Sequence, residues 1–230
     1  MSGVSFPLRV KAVTIDLDGT LLDTIPDLAA AANLMLSELD CPPLPESRIR
    51  TFVGKGIANL VERTLEAAAV GPVEPEKRRR GLELFDRHYR NVNGRHTTMY
   101  PGVQEGLDAL RARDFPLACV TNKSERFTLP LIDMLGLAPY FVQVVCGDTL
   151  ARKKPDPAPL LYAAREMGVA PNEMLMIGDS LNDTQAARAA ACPVFCVTYG
   201  YNEGMDVRSL DTDALLSSLL DAVELIEKYD

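Results

Sequence analysis

The sequence predicts an α/β fold: a doubly wound, mainly parallel, Rossmann-like sheet with an inserted all-helical domain. Three observations carry that expectation. Short apolar runs rich in branched residues recur along the chain, as strands buried on both faces require. Helical patterns separate those runs, which is the signature of crossover connections in a parallel sheet. The alternation then breaks once, over a stretch far too long for a loop.

The first run, Val10–Ile15, reads as a strand. After Asp23 no further strand is expected until about Leu117. Between them, helical patterns occupy Pro26–Leu39, Ile57–Ala69 and Pro75–Arg90. Pro26 suits the first turn of a helix, and the prolines of Cys41–Pro45 end it. Residues 24–99 therefore read as a small helical domain, and residues 1–23 with 100–230 as the α/β core. Tyr100-Pro101-Gly102 marks the return to the core. Helices are expected over Val103–Arg113, Arg126–Leu135, Pro159–Met167 and Asp183–Ala191. The strands between and after them are Leu117–Val120, Phe141–Cys146, Met174–Ile177 and Pro193–Thr198. Asp211–Tyr229 reads as a closing amphipathic helix.

Composition narrows the function. With 230 residues and 47% hydrophobic residues, a large core is expected. A net charge of −8 argues against nucleic acid, which needs a basic face. The basic run Lys77–Arg80 has three acids around it and reads as a solvated helix face. No window approaches the roughly 20 apolar residues of a membrane span, and Met1–Lys11 lacks the apolar stretch of a secretory signal. The five cysteines form no C-x-x-C spacing, and Cys119, Cys146 and Cys196 sit in apolar runs. Reduced core thiols in a cytoplasmic protein are the expectation. Cys192 and Cys196 have no His or further Cys nearby to complete a metal site. Nothing in the sequence fixes the oligomeric state, and a homo-oligomer is compatible with it.

The chemistry concentrates at strand ends. Val13-Thr14-Ile15-Asp16-Leu17-Asp18-Gly19-Thr20 closes an apolar strand with two carboxylates two residues apart. In extended backbone these share a side, at the sheet edge where open α/β folds bind ligands. Two anions so close need a cation or a shared proton. Gly19 and Thr20 are expected to offer backbone N–H groups to an anionic oxygen. Asp179 ends another strand and Asp183 lies one helical turn beyond it, adding hard oxygen ligands suited to Mg²⁺. Thr121 and Asn122 follow one strand, and Lys153-Lys154-Pro155 follows another. Cation, hydroxyl and backbone donors converging with a metal make an electrostatic clamp for a phosphoryl group. Taken singly, Asp179 or Asp183 would be a helix cap, Thr121 a turn residue and Lys153 or Lys154 a surface lysine. The set, in this order, points to phosphoryl chemistry.

These motifs resemble the haloacid dehalogenase superfamily of phosphatases, across nearly the whole chain. The D-x-D-G-T signature at Asp16–Thr20, Thr121, Lys154-Pro155 and the G-D-S-x-x-D of Gly178–Asp183 stand in family order. The resemblance implies that Asp16 is the nucleophile and becomes an aspartyl-phosphate. It implies that Asp18 protonates the leaving alcohol and then activates water. Lys154, in preference to Lys153, matches the lysine that neutralises nucleophile and phosphate. Asp16, the Asp18 carbonyl and Asp179 match Mg²⁺ ligands, with Asp183 in support. Thr121 and Asn122 match phosphate contacts. Within the superfamily the sequence is most similar to bacterial phosphoglycolate phosphatases, which implies a small phosphate ester as substrate. Asp156 stands where many relatives carry histidine. Lys55, in the inserted domain, is then a candidate for a substrate carboxylate. The alternatives are the same chemistry on a sugar, amino-sugar or nucleotide phosphate, and a phosphomutase. A phospho-accepting receiver module is the non-enzyme alternative. Receivers place their aspartate after a later strand and lack a helical insertion, so Asp16 after the first strand argues against one.

Overall fold

The computed structural model describes residues 5–69 and 71–229. The predicted first strand is split at Lys11 into β1 (Leu8–Val10) and β2 (Ala12–Ile15). The Lys11 N–H leaves the ladder to donate to the Glu173 carbonyl at 2.7 Å. A short β3 (Leu22–Asp23) follows. Four helices come next: α1 (Ile25–Glu38), α2 (Glu46–Arg50), α3 (Ile57–Ala68) and α4 (Pro75–Val92). The chain returns through β4 (Thr98–Met99). The core then alternates α5 (Val103–Ala112), β5 (Leu117–Val120), α6 (Glu125–Met134), β6 (Phe141–Val145) and α7 (Ala158–Glu166). It finishes with β7 (Met174–Gly178), α8 (Leu181–Ala189), β8 (Val194–Val197), β9 (Ala214–Leu216), α9 (Asp221–Leu225) and β10 (Ile226–Lys228).

Six strands form one parallel sheet in the order β6-β5-β2-β7-β8-β9. The β2 strand lies inside the sheet and every residue in it is buried, as its unbroken apolar sequence requires. Its alternate side chains serve two cores. Val13 and Ile15 pack with Val103, Leu107 and Leu110 of α5 and with Ala222 of α9. Ala12 packs with Leu160 and Ala163 of α7 and Ala186 of α8. Helices therefore cover both faces, as doubly wound topology demands. Connections on either side of β2 run in opposite directions, and the carboxyl ends of β2, β5 and β7 meet at that switch point.

Helices α1 to α4 bury a hydrophobic cluster of their own, with Met35, Leu36, Leu60, Leu65, Phe85 and Tyr89. Phe127 and Tyr201 from outside residues 24–99 also join it. The antiparallel ribbon β3–β4 pairs Leu22 with Met99 and Asp23 with Thr98, so the two crossings lie side by side. Asp27 ties them further: its carboxylate accepts from the N–H groups of Gly94, His96 and Thr97 at 2.9 to 3.1 Å. The ribbon and α2 were not expected from sequence, because two- and five-residue elements carry too little periodicity. The basic run pairs with acids, Arg78 with Glu62 and Arg79 with Glu76 and Glu83.

The expected closing helix over Asp211–Tyr229 is not formed as one element. The Asp221 carboxylate accepts from the N–H groups of Ser217 and Ser218 at 2.8 and 3.0 Å, which starts a new turn there and breaks the helical run. The open edge of β8 recruits Ala214–Leu216 as β9, and β10 pairs with β1. Among the described residues, no helix is long and apolar enough to cross a membrane.

Candidate active site

A cavity opens where the carboxyl ends of β2, β5 and β7 face the inserted helices. Asp16, Asp18, Thr121, Lys123, Lys154 and Asp183 line its floor. Leu28, Val53, Ile57 and Leu60 of the inserted segment line the other side. A polar floor facing apolar side chains strengthens charge interactions within, by lowering the local dielectric.

Asp16 follows β2 directly, and its N–H donates to the Ile177 carbonyl at 2.9 Å, extending the ladder by one residue. This fixes the carboxylate at the switch point. Lys154 reaches it from the loop after β6. Its ammonium lies 2.9 Å from Asp16 Oδ1 and 2.7 Å from Asp183 Oδ1, and donates to the Val120 carbonyl at 2.6 Å. Two of its N–H bonds go to Asp183 and the Val120 carbonyl, and the contact with Asp16 is an ion pair. Lys154 is only 2% exposed, so its neighbours hold it charged: the two carboxylates push its pKa up despite burial. The adjacent Lys153 points elsewhere and donates to the Lys55 carbonyl.

Asp183 is engaged at both oxygens. Oδ2 accepts from Ser180 N–H at 3.0 Å, Ser180 Oγ at 2.7 Å and Asp179 N–H at 3.2 Å, while Oδ1 takes Lys154. Ser180 is the N-cap of α8 and Asp183 its third residue, whose carboxylate reaches back to the Ser180 N–H. Gly178 makes room for this carboxylate, since a Cβ there would sit 2.3 Å from Asp183 Cγ.

Asp179 ends β7 and has its oxygens held by Thr20 Oγ1 at 3.2 Å and Tyr201 N–H at 2.6 Å. The turn after Asp18 serves this residue. Gly19 and Thr20 were expected to present N–H groups to a ligand. Their N–H groups instead close the turn, onto the Leu22 and Leu17 carbonyls at 2.9 and 3.3 Å. Gly19 adopts φ +93°, and a Cβ there would lie 2.5 Å from Asp179 Oδ2.

Asp16, Asp179 and Asp183 are buried and can each bring an oxygen within 4.8 Å of the others. Burial pushes Asp16 up to about 7, and the negative charge of Asp183 adds to that while Lys154 opposes it. Burial, with Asp183 and Asp16 beside it, pushes Asp179 well above the usual carboxylate range. Asp16 Oδ1 is buried without a hydrogen-bond partner, because the Lys154 contact is off-angle. Crowded carboxylates, raised proton affinity and an unsatisfied oxygen fit a small divalent cation with hard oxygen ligands.

Asp18 shares the cavity but turns away from that cluster. Its Oδ1 accepts from Thr24 Oγ1 at 2.7 Å and Lys123 Nζ at 3.1 Å. Thr121 is buried at the end of β5, where its Oγ1 accepts the Lys123 N–H at 3.1 Å. Asn122 bridges to the insertion: its Nδ2 donates to the Gly54 and Lys154 carbonyls at 2.9 and 2.8 Å. Lys55 departs from expectation. It is 47% exposed, pairs with Glu203 at 2.7 Å and does not line the cavity. Arg63 joins it on Glu203 at 3.1 Å. The loop around Gly54 and Gly56 directs its backbone inward and its lysine outward.

Sequence reasoning missed Lys123, Tyr89, Thr24 and Tyr201. Lys123 carried a usable signal, standing third after the apolar run of β5 beside Thr121 and Asn122. Tyr89 carried none, since an aromatic on an amphipathic helix reads as core. Tyr201 carries a hydroxyl that accepts the Thr24 N–H at 2.7 Å and bonds Asp23 at 3.0 Å. Only the folded chain brings Thr24 and Tyr201, 177 positions apart, together.

The sequence pattern of the haloacid dehalogenase-like hydrolases matches residues 10–191. A phosphoglycolate phosphatase of Nitrosospira multiformis is 56% identical to this chain, over 97% of it and 98% of the relative. One from Thiobacillus denitrificans is 50% identical, over 97% and 99%. A crystal structure described as a predicted phosphoglycolate phosphatase from Haemophilus somnus superposes with a TM-score of 0.90 at 32% identity, over 94% of this chain and 97% of that one. The parallel sheet, the strand-end acids and these likenesses agree: the chain belongs to the haloacid dehalogenase-like hydrolases.

Proposed function

We propose that this chain is a Mg²⁺-dependent phosphatase that hydrolyses 2-phosphoglycolate to glycolate and inorganic phosphate. The observation that carries the chemistry is the contact of Lys154 with Asp16 at the floor of the cavity, 2.9 Å apart. The substrate rests on relatives of that name at 56% and 50% identity over nearly the full chain.

Asp16 is the nucleophile. A carboxylate oxygen attacks phosphorus and the bond from phosphorus to the ester oxygen breaks, leaving an aspartyl-phosphate. Asp18 gives its proton to the departing glycolate oxygen. It then takes a proton from water as that water attacks the aspartyl-phosphate, which frees phosphate and restores Asp16. Two displacements replace one very difficult hydrolysis. Lys154 offsets the repulsion between the anionic nucleophile and the anionic phosphoryl group, and Asp183 holds Lys154 in place. Thr121 and Asn122 stand at the strand end where the phosphate would lie. Asp16, the Asp18 carbonyl and Asp179 would hold Mg²⁺, with Asp183 in support. The ion supplies charge neutralisation at the phosphoryl oxygens. Thr20 and Gly19 act through Asp179, by hydrogen bond and by leaving space.

Residues 24–99 form a helical cap over a core made of 1–23 and 100–230. The separate hydrophobic cluster of α1 to α4 and the paired crossings at β3–β4 support that division. The protein works in the cytoplasm, where its five thiols stay reduced.

The test is phosphate release from a panel of phosphate esters with Mg²⁺ and after chelation. 2-Phosphoglycolate should give the highest kcat/KM, and Asp16→Asn should abolish turnover. Substantial turnover by Asp16→Asn would remove the nucleophile. Full activity after chelation would remove the metal, and a poor rank for 2-phosphoglycolate would remove the substrate.

A further inference from the structure

Two ammonium groups line the cavity, and they differ in the charges around them: Lys154 faces two carboxylates and Lys123 one. Lys154 spends three contacts on Asp16, Asp183 and the Val120 carbonyl. Lys123 makes two, to Asp18 Oδ1 at 3.1 Å and to Tyr89 Oη at 2.5 Å. An ammonium has three N–H bonds, so one remains on Lys123 with no partner among the described residues. The residue is only 5% exposed and lines the cavity, so that bond has no bulk water to turn to.

We infer that Lys123 is the receptor for the carboxylate of the substrate and sets the preference for phosphorylated 2-hydroxy acids over plain alkyl phosphates. The inference rests on the proposed hydrolysis of 2-phosphoglycolate. The chemistry of that ester locates its carboxylate. Two bonds of about 1.5 Å separate the ester oxygen from the carboxyl carbon, so the carboxylate oxygens lie about 3 Å from the ester oxygen. Asp18, the proton donor to that ester oxygen, is the group Lys123 touches. A carboxylate attached there therefore falls within reach of the remaining N–H. Among the described residues the other cation that lines the cavity, Lys154, is held by Asp16 and Asp183, while Lys55 and Arg63 are both spent on Glu203 and the roof is apolar.

Tyr89 supplies the support. It is fully buried on α4, packed against Phe85 and Phe127 with ring centroids 5.5 and 4.8 Å away. Its hydroxyl fixes the lysine from the cap side, so the receptor is assembled only when α4 sits over the core. A buried ammonium held by an acceptor on each side is a preorganised anion site, and loss of one partner of such a pair is costly.

The experiment compares kcat and KM for 2-phosphoglycolate and for ethyl phosphate, which replaces the carboxylate by a methyl group. In the wild type 2-phosphoglycolate should be strongly preferred. Lys123→Met should lower kcat/KM for 2-phosphoglycolate about 100-fold, chiefly through KM, and that for ethyl phosphate by no more than about 10-fold. Tyr89→Phe keeps the packing and should raise KM for 2-phosphoglycolate about 3- to 10-fold while moving the ethyl phosphate KM less. It carries the test if Lys123→Met does not fold. Equal losses on both esters would make Lys123 a holder of Asp18 and overturn the inference, as would an unchanged ratio in both variants. A wild type that prefers ethyl phosphate would overturn the substrate proposal itself, and this inference with it. A wild-type preference that survives in both variants overturns only the role of Lys123.

Discussion

Lys154 Nζ lies 2.7 Å from Asp183 Oδ1, with the two side chains 2% and 0% exposed. Asp183 holds the loop of Ser180 with its other oxygen, so one carboxylate fixes both the lysine and the start of α8. Asp183→Asn keeps the shape and removes the charge. Breaking a buried ion pair from one side costs about 3–5 kcal/mol, so a stability loss near the lower end is expected by urea denaturation. Turnover should fall at least about 10-fold, because Lys154 loses one of its three anchors.

The space left by Gly19 belongs to Asp179. Gly19→Ala puts a Cβ 2.5 Å from Asp179 Oδ2, on a backbone at φ +93° that alanine resists by about 1–2 kcal/mol. The variant should fold, melt somewhat lower and bind Mg²⁺ at least about 10-fold more weakly by calorimetry. Unchanged Mg²⁺ affinity would detach the turn from the metal site.

Asp16 gives a pH dependence with a definite sign. Burial raises its pKa from 3.8 to about 7, so between those values the folded state carries a proton that the unfolded state has lost. The metal-free protein is therefore favoured at low pH by this group, and that contribution declines as pH rises from about 4 to about 7. Mg²⁺ must displace the same proton, so its affinity should fall by up to about tenfold per pH unit below about 7. Thermal melts with and without Mg²⁺ at pH 5 and pH 8 test both. The upward shift in Tm with Mg²⁺ should be larger at pH 8.

Lys55 stands outside the cavity on Glu203, in a half-exposed pair of the kind worth about 0–1 kcal/mol. Lys55→Ala should change KM for 2-phosphoglycolate by less than about twofold in steady-state assays. A rise of tenfold or more would bring the lysine back to the substrate.

The sequence by itself determined the layered α/β fold, because the parallel strands are buried on both faces and have to be apolar along their whole length. It determined the acids as well: Asp16, Asp18 and Asp179 follow strand ends, where ladder geometry aims them at one edge, and Asp183 lies in the first turn of the helix after β7. Short elements escaped it. The ribbon β3–β4, α2 and the broken C-terminal helix depend on partners far away in sequence, such as the edge of β8 that recruits Ala214–Leu216. The roles of cations were likewise decided by tertiary structure. Lys55 and Lys123 are equally plausible as residues, and what separates them is which charges surround them. Glu203, 148 residues from Lys55, draws that ammonium outward. Asp18 and Tyr89, 105 and 34 residues from Lys123, hold the other inside the cavity. A long flexible side chain takes its position from the nearest counter-charge, and that is a property of the folded chain.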